Sequence, residues 1–237
     1  MTARKIRQKR ETLENKILEN NIDKKLNEIE SLIDKNNYND LVKVINLIRN
    51  KKPTYAMVIL QTLDTISKLN KNNIDYVFYG GIATLLHCLD YTKEKEIMAY
   101  WRETEDIDML VRSYDPLKAI FDKNKYYFSY NSPEEGQLTI TENNLLPTVK
   151  IEFGENLYLG EGKGRADFTN DFFKNRKEID FFGLTTKIPD LKTMIDMKKA
   201  IQSIRSKKKD MYDWKLLKSV YYNDQNKFLD LIFKPLT

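Results

Sequence analysis

The sequence predicts an α+β protein with a mixed β-sheet core and helical segments on either side of it. In the first part of the chain, apolar residues recur at spacings close to one or two helical turns, which is typical of helices. The middle holds short β-rich segments separated by Gly, Ser-Pro and Asn-Asn turn signals. After Pro189 the helical spacing returns. We therefore expect an N-terminal helical region at residues 1–70, an α/β core at 71–188 and a C-terminal helical region at 189–237.

Three helices are predicted in the N-terminal region. The first carries its apolar residues on one face and ends at the Asn-rich segment 36–39, which interrupts the pattern. The second runs from Leu41 to Ile48 and ends before Pro53, because proline breaks a helix interior. The third runs from about Thr54 to Leu69, with its apolar residues again on one face.

The core is predicted to begin with the β-rich segment Asp75 to Tyr79 and a helix from Ile82 to Leu89. A further helix begins at Asp115-Pro116, because proline suits the first helical turn. The segment Gly154 to Gly164 is predicted to be a glycine-bearing loop. The other predicted strands are Ile107 to Val111, Lys125 to Tyr130, Gln137 to Thr141, Thr148 to Phe153, Ile179 to Phe182 and Thr185 to Ile188.

In the C-terminal region, Asp190 is a suitable N-cap for a helix that ends at Ile204. Two more helices are predicted at Met211 to Tyr221 and Lys227 to Phe233. Together these segments predict a helical flank after the core.

Composition limits the classes of protein to consider. The chain has 237 residues, of which 41% are apolar and 32% charged, enough to bury a core. Its longest uncharged stretch, Val77 to Leu89, is too short to cross a bilayer, so we predict no membrane partner. The single cysteine, Cys88, excludes an intramolecular disulfide framework, and no apolar segment follows the basic residues Met1 to Arg10, so we expect a cytoplasmic protein. The net charge of +5 fits a phosphate-bearing partner. The composition is rich in Lys, Asn, Ile, Tyr and Phe, residues that AT-rich codons encode, which fits a bacterial or viral source.

Gly80 and Gly81 join the first predicted strand of the core to a helix. Glycines let the backbone approach a ligand closely, and the start of a helix presents free N–H groups, so this corner can hold a phosphate. A Gly-Gly pair is also a common structural feature of turns, and by itself it does not identify a site.

Asp106 and Asp108 lie two residues apart on a predicted strand, which places both carboxylates on one face of the sheet. Two like charges on one face are costly unless a cation lies between them, and Mg²⁺ is the hard cation that such oxygen ligands prefer. A solvated strand face is the alternative interpretation of the same spacing. Glu152 is another acid within an apolar strand, and by itself it is ordinary for an exposed position of an alternating strand.

In this order along the chain, these motifs resemble the nucleotidyltransferase superfamily of polymerase-β type, and within it the minimal MNT and AbiEii-like branch that includes toxin–antitoxin enzymes. The segment Gly80 to His87 is similar to the Gly-Gly-x-Ala-x-x-Leu-His of that branch. Ile188 to Lys198 resembles its strand followed by a Leu-Ile-x-x-Lys helix, and Lys209 to Trp214 resembles its Lys-Asp-x-x-Asp-Leu helix. The resemblance covers roughly residues 75 to 220.

The resemblance implies a set of ligands. Asp106 and Asp108 would bind two metal ions, Mg²⁺ or Mn²⁺, with Glu152 as the third carboxylate and Asp180 as a rival for that role. Gly80 and Gly81 would hold the triphosphate of a nucleoside triphosphate. Lys198 and Lys209 would contact phosphate or stabilise the acidic site.

The implied reaction is transfer of a nucleoside monophosphate from that triphosphate to a hydroxyl group, with pyrophosphate leaving. The acceptor is an RNA such as tRNA, a protein or a small molecule, and the sequence does not choose among them.

Two other functions stay open at this point. Many members of the branch carry Ser or Thr directly after Gly-Gly, where this chain has Ile82, so a catalytically inactive interaction module is one alternative. A nucleic-acid-binding protein that uses the basic segments Arg4 to Arg10 and Arg205 to Lys209 is the other. The segment Gly160 to Arg165 is predicted to be a mobile surface loop, with an active-site flap as the alternative.

Overall fold

The structure is a computed structural model that describes residues 3–130, 137–143, 145, 147–159, 166–205 and 207–233, with side chains described from residue 16 onward. The predicted α+β class with a mixed sheet and flanking helices is confirmed. The glycine-rich segment Gly160 to Arg165 lies outside the described residues, as do the side chains of Arg4 to Arg10. The division of the chain into three regions stays a prediction.

The N-terminal region consists of helices α1 (Ala3–Glu30), α2 (Lys35–Ile48) and α3 (Pro53–Lys71). Helix α3 is central to the fold, because every residue from Tyr55 to Ser67 is buried. Proline at the start of α3 occupies the first helical turn, where its missing N–H costs no hydrogen bond.

The predicted break within the asparagine-rich segment 36–39 is wrong. Helix α2 begins at Lys35 because the carboxylate of Asp34 accepts the backbone N–H groups of Asn36 (2.9 Å) and Asn37 (3.0 Å). The turn between α1 and α2 lies instead at residues 31–34, before the asparagines, and the asparagines lie in the first turns of α2.

A buried cation, Lys25, joins α1 to the rest of the molecule. Its side chain is 2% exposed, and its Nζ lies 3.0 Å from both Asp64 on α3 and Glu28, and 2.9 Å from Glu142. Burial alone would lower the pKa of Lys25, but the charges of Asp64 and Glu142 outweigh it and raise that pKa. The second half of α1 is therefore a fixed part of the core.

Within the described residues, five strands form one mixed sheet with the order β1-β2-β5-β4-β3. These strands are β1 (Tyr76–Phe78), β2 (Asp106–Val111), β3 (Tyr126–Tyr130), β4 (Gln137–Glu142) and β5 (Lys150–Gly154). Strands β2 and β5 pair in parallel at the centre of the sheet, and the other neighbours pair antiparallel. Helix α4 (Gly80–Thr92), a 3₁₀ helix (Lys95–Ala99) and α5 (Asp115–Ile120) connect the first three strands.

The segment predicted as a loop after β5 contains a short strand in its described part. Strand β6 (Tyr158–Leu159) pairs antiparallel with β7 (Ala166–Asp167). The next helix, α6 (Thr169–Lys174), was not predicted, because six residues are too few for a helical periodicity to appear. A hairpin of β8 (Arg176–Phe181) and β9 (Leu184–Pro189) follows.

The C-terminal region consists of α7 (Leu191–Ile204), α8 (Lys208–Tyr221) and α9 (Gln225–Phe233). The carboxylate of Asp190 accepts the backbone N–H of Thr193 and caps α7 as predicted. Helix α8 packs against both α4 and α7, so this region covers the side of the core where α4 begins. In the described ranges, no helix has the length and apolar character needed to cross a membrane.

Candidate active site

Three carboxylates meet where β2 and β5 run side by side. Asp106 and Asp108 project from the same face of β2, while Ile107 and Met109 are buried on the other. Glu152 pairs directly with Asp108 across the parallel register. One oxygen from each of the three carboxylates lies within 4.8 Å of the others. The structure thus brings the three predicted acids together, and their role as metal ligands stays a prediction.

Two polar side chains fix the outer members of this carboxylate triad (Asp106, Asp108 and Glu152). The hydroxyl of Thr104 donates to Oδ1 of Asp106 at 3.1 Å. The amide Nε2 of Gln137, on β4, donates to Oε2 of Glu152 at 2.9 Å. Because each of these bonds restricts the rotation of a carboxylate, the triad is held in place by the protein itself.

The electrostatics of the triad favour a bound cation. Burial, followed by the charges of Asp106 and Glu152, raises the pKa of Asp108 to about 8, although Lys198 and Lys209 act in the opposite direction. Burial and the charge of Asp106 also raise the pKa of Glu152. Three crowded oxygen ligands suit a hard divalent cation such as Mg²⁺ or Mn²⁺, whose charge would allow all three groups to ionise.

The glycine corner lies directly against the triad. The backbone N–H of Tyr79 donates to the carbonyl of Asp108 at 3.0 Å, which fixes the end of β1 to β2. Gly80 has a φ of +65°, and a Cβ there would lie 1.9 Å from Oδ2 of Asp108. A Cβ at Gly81 would lie 2.9 Å from the hydroxyl of Thr104. Both positions therefore require glycine, and the first turn of α4 opens at the edge of the carboxylates.

A buried ion network lies beside the glycine corner, where a Cβ at Gly81 would come within 3.3 Å of Nη2 of Arg102. Asp213 on α8 is completely buried and accepts from Nε of Arg102 (2.6 Å) and from Nζ of Lys198 on α7 (2.7 Å). A second Arg102 nitrogen, Nη2, donates to the other oxygen of Asp213 at 2.5 Å. Lys198 is thus held in place by Asp213, and it faces the cleft as part of a fixed arrangement.

Other cations lie closer to solvent. Nε of Arg205 donates to Asp210 at 3.0 Å. Lys207 and Lys209 are exposed at the rim, where a long side chain can reach a ligand in the cleft. The predicted partners of the phosphates, Lys198 and Lys209, therefore differ in kind: the first is fixed and buried, and the second is exposed.

These groups line one cavity of about 690 Å³, a size typical of sites for small organic ligands. Besides the residues above, the lining includes an apolar group: Leu157, Tyr158, Leu159, Met197, Ile201 and Ile204. The cavity therefore combines acidic, basic and apolar walls.

The other sequence candidates lie elsewhere. Asp180, the rival third acid, is on β8 and lines a separate cavity with Leu89 and Phe181. The side chain of Ile82, in the first turn of α4, is 1% exposed and packs in the core, so only the backbone of this residue is available to a ligand. Burial lowers the pKa of His87 to about 3, and its neutral ring donates from Nε2 to the carbonyl of Pro189 at 3.0 Å. Cys88 is fully buried.

Sequence reasoning assigned no role to four residues that shape the site. Arg102 and Thr104 stand just before the Asp-x-Asp pair, and Asp213 stands in the Lys-Asp-x-x-Asp segment, so their positions in these motifs were the available signal. Gln137 had no such signal, because only the pairing of β4 with β5 brings it to Glu152.

No protein-family model matches the chain. No curated protein matches it either. A solution structure of the antibiotic-resistance factor ANT(2'')-Ia has a TM-score of 0.49 and 10% identity, covering 76% of this chain and 90% of that one. A crystal structure of an antigenic nucleotidyltransferase-like protein from Paracoccidioides brasiliensis has a TM-score of 0.42 and 15% identity, covering 71% of this chain and 88% of that one. At these scores neither likeness identifies a family or a function.

Proposed function

We propose that this protein is a metal-dependent nucleotidyltransferase, which transfers a nucleoside monophosphate from a nucleoside triphosphate to a hydroxyl group and releases pyrophosphate. One observation carries the proposal: three carboxylates from two parallel strands converge within 4.8 Å at a corner where two glycines are required. Cations that line the same cavity complement a polyphosphate.

The carboxylate triad would hold Mg²⁺ or Mn²⁺ between Asp106, Asp108 and Glu152. Divalent ions supply charge stabilisation for the attacking and leaving oxygens of a phosphoryl transfer. Thr104 and Gln137 keep two of these carboxylates oriented. A hydrolase that uses a nucleophilic serine or cysteine does not need such a cluster of oriented carboxylates.

The chain itself would bind the triphosphate at the start of α4. The backbone N–H groups at Gly80 and Gly81 stand beside the carboxylates, where they can donate to phosphate oxygens. Lys198, fixed by Asp213, contributes positive charge to the same cavity, and Lys209 can reach in from the rim. In the reaction the acceptor oxygen bonds to the α-phosphorus, the bond to pyrophosphate breaks, and a carboxylate oxygen of Glu152 takes the hydroxyl proton.

The motifs also support a more specific proposal, membership of the MNT and AbiEii-like branch. Lys198, Lys209 and Asp213, which stand in the two C-terminal motifs of the resemblance, all lie at or directly behind the same cavity. The acceptor is an RNA such as tRNA, a protein hydroxyl or a small molecule.

One experiment tests the activity and identifies the acceptor. The full chain is incubated with each α-³²P-labelled nucleoside triphosphate, Mg²⁺ or Mn²⁺, and either total RNA or cell lysate, and label transfer is followed on denaturing gels. We expect transfer that EDTA abolishes and that Asp106→Asn lowers at least a hundredfold. Asp180→Asn is the matched control, because it removes a carboxylate outside the cavity. Equal transfer by both variants would refute the proposed metal site.

A further inference from the structure

One wall of the cavity is apolar, and neither the carboxylates nor a triphosphate accounts for it. Helix α7 contributes Met197, Ile201 and Ile204, whose spacing of four and three residues places them on one helical face. Strand β6 and the residue before it contribute Leu157, Tyr158 and Leu159. The two segments pack against each other, so the wall is continuous.

The exposure of this wall increases from its floor to its mouth. Met197 is 1% exposed, Tyr158 is 43% exposed and Ile204 is 53% exposed. Large apolar side chains that stay exposed beside a charged cleft contribute no hydrophobic stabilisation to the fold, because that stabilisation comes from removing apolar surface from water. A ligand with one polyanionic end and one flat apolar face would cover them while its anionic end reached the metal and the cations.

We propose that this apolar wall is the subsite for the nucleobase of the triphosphate, a step that rests on the function proposed above. Among the described residues of the wall, the hydroxyl of Tyr158 is the one polar side-chain group. The contribution of this wall is therefore ring stacking and apolar contact rather than a pattern of hydrogen bonds. Affinity increases with ring area: adenine and guanine bind alike, and both bind more tightly than cytosine and uracil.

The test compares nucleotides with inorganic tripolyphosphate, which carries the same anionic chain and no base. Dissociation constants are measured by calorimetry on the full chain with Mg²⁺ present, for ATP, GTP, CTP, UTP and tripolyphosphate. The variants are Tyr158→Ala, Tyr158→Phe and Ile204→Ser. Both residues are exposed, so these substitutions should leave the fold intact. Controls are Leu47→Ser, at the same 53% exposure as Ile204, and Tyr127→Ala, both outside the cavity lining.

We expect Tyr158→Ala and Ile204→Ser each to weaken ATP binding about tenfold and to leave tripolyphosphate binding unchanged. Tyr158→Phe, which keeps the ring, retains wild-type affinity, as do the two control variants. Three results would overturn the inference: equal affinity of the wild type for ATP and tripolyphosphate, equal losses for both ligands in the variants, or selection of one base over the others of its ring size.

The outcome separates this inference from the proposed function. Base-dependent binding that the wall variants weaken, without label transfer to any acceptor, supports the subsite and refutes catalysis. Label transfer together with wild-type behaviour of Tyr158→Ala and Ile204→Ser supports catalysis and refutes the subsite.

Discussion

Replacing Asp108 by asparagine is expected to stabilise the metal-free protein at high pH. Burial and the charges of Asp106 and Glu152 raise the pKa of Asp108 to about 8, against an ordinary value of 3.8. Between these two pH values the folded protein binds a proton at Asp108 that the unfolded chain has lost. The free energy of unfolding therefore falls as the pH rises through this window, and the cost is complete above pH 8. Asparagine has the same shape and cannot acquire the charge.

The magnitude follows from the two pKa values. At about 1.4 kcal/mol for each pKa unit, the interval from 3.8 to about 8 sets an upper limit of about 6 kcal/mol. The part of this cost that develops between pH 6 and about 8 is at most about 3 kcal/mol, and water in the open cleft screens the three charges, so we expect the advantage of Asp108→Asn to grow by about 2 kcal/mol from pH 6 to pH 9. For a chain of this length, that corresponds to a melting temperature higher by roughly 4–8 °C. At pH 6 the unfolded chain has already lost the proton that the folded protein keeps, so part of the advantage of asparagine is present there, and the two proteins should unfold at similar temperatures only below about pH 3.8.

The assay is thermal unfolding of wild type and variant at pH 6 and pH 9, in EDTA and in increasing Mn²⁺. In EDTA the wild type should lose stability from pH 6 to pH 9 more steeply than Asp108→Asn. Mn²⁺ should then restore the wild type at pH 9 and have much less effect on the variant, because a ligand stabilises only the state that binds it.

Asp180→Asn is the control and should follow the wild type in every condition, because Asp180 lies outside the cavity. Identical pH profiles for wild type and Asp108→Asn, together with equal stabilisation of both by Mn²⁺, would refute the idea that the three carboxylates share one cation.

Three further predictions follow from the geometry. Glu152→Gln should reduce label transfer at least a hundredfold while Asp180→Asn changes it less than threefold, measured as initial rates; the reverse order would make Asp180 the third acid. Gly80→Ala should abolish the stabilisation by Mn²⁺, because its Cβ would overlap the carboxylate of Asp108, and a wild-type Mn²⁺ response would contradict the close approach. Lys25→Ala should lower the free energy of unfolding in urea by about 3 kcal/mol, because it removes the buried cation shared by Asp64 and Glu142 and leaves each with only a more exposed lysine, Lys68 or Lys125; a loss below about 1 kcal/mol would show that these two lysines and solvent compensate for it.

Local patterns were sufficient to predict much of the site. The two-residue spacing of Asp106 and Asp108 fixes them to one face of a strand in any sheet, because side chains alternate with period two. The alternation around Glu152 likewise predicted an acid in an apolar strand. A second local signal, a capping residue directly before a helical pattern, correctly predicted Asp190 as the N-cap of α7.

Long-range pairing could not be predicted from such patterns. Strand β5 pairs with β2 although β3 and β4 lie between them in sequence, so the contact of Glu152 with Asp108 depends on sheet order. The ion pair of Arg102 with Asp213 joins residues 111 positions apart. At short range, the asparagines of α2 misled the prediction, because their low helix propensity is offset by the cap that Asp34 provides.

The position of Cys88 has a practical consequence for spectroscopy. It is the only cysteine of the chain, it is fully buried on α4, and burial raises the pKa of its thiol well above the ordinary value. Since the thiolate is the form that reacts with maleimides, the folded wild-type protein should take up almost no label. A cysteine introduced at an exposed position such as Ile204 would then carry the only fluorophore or spin label. The surroundings of the cleft can thus be followed with one label, and distances with a pair of introduced cysteines, with no need to remove a native thiol.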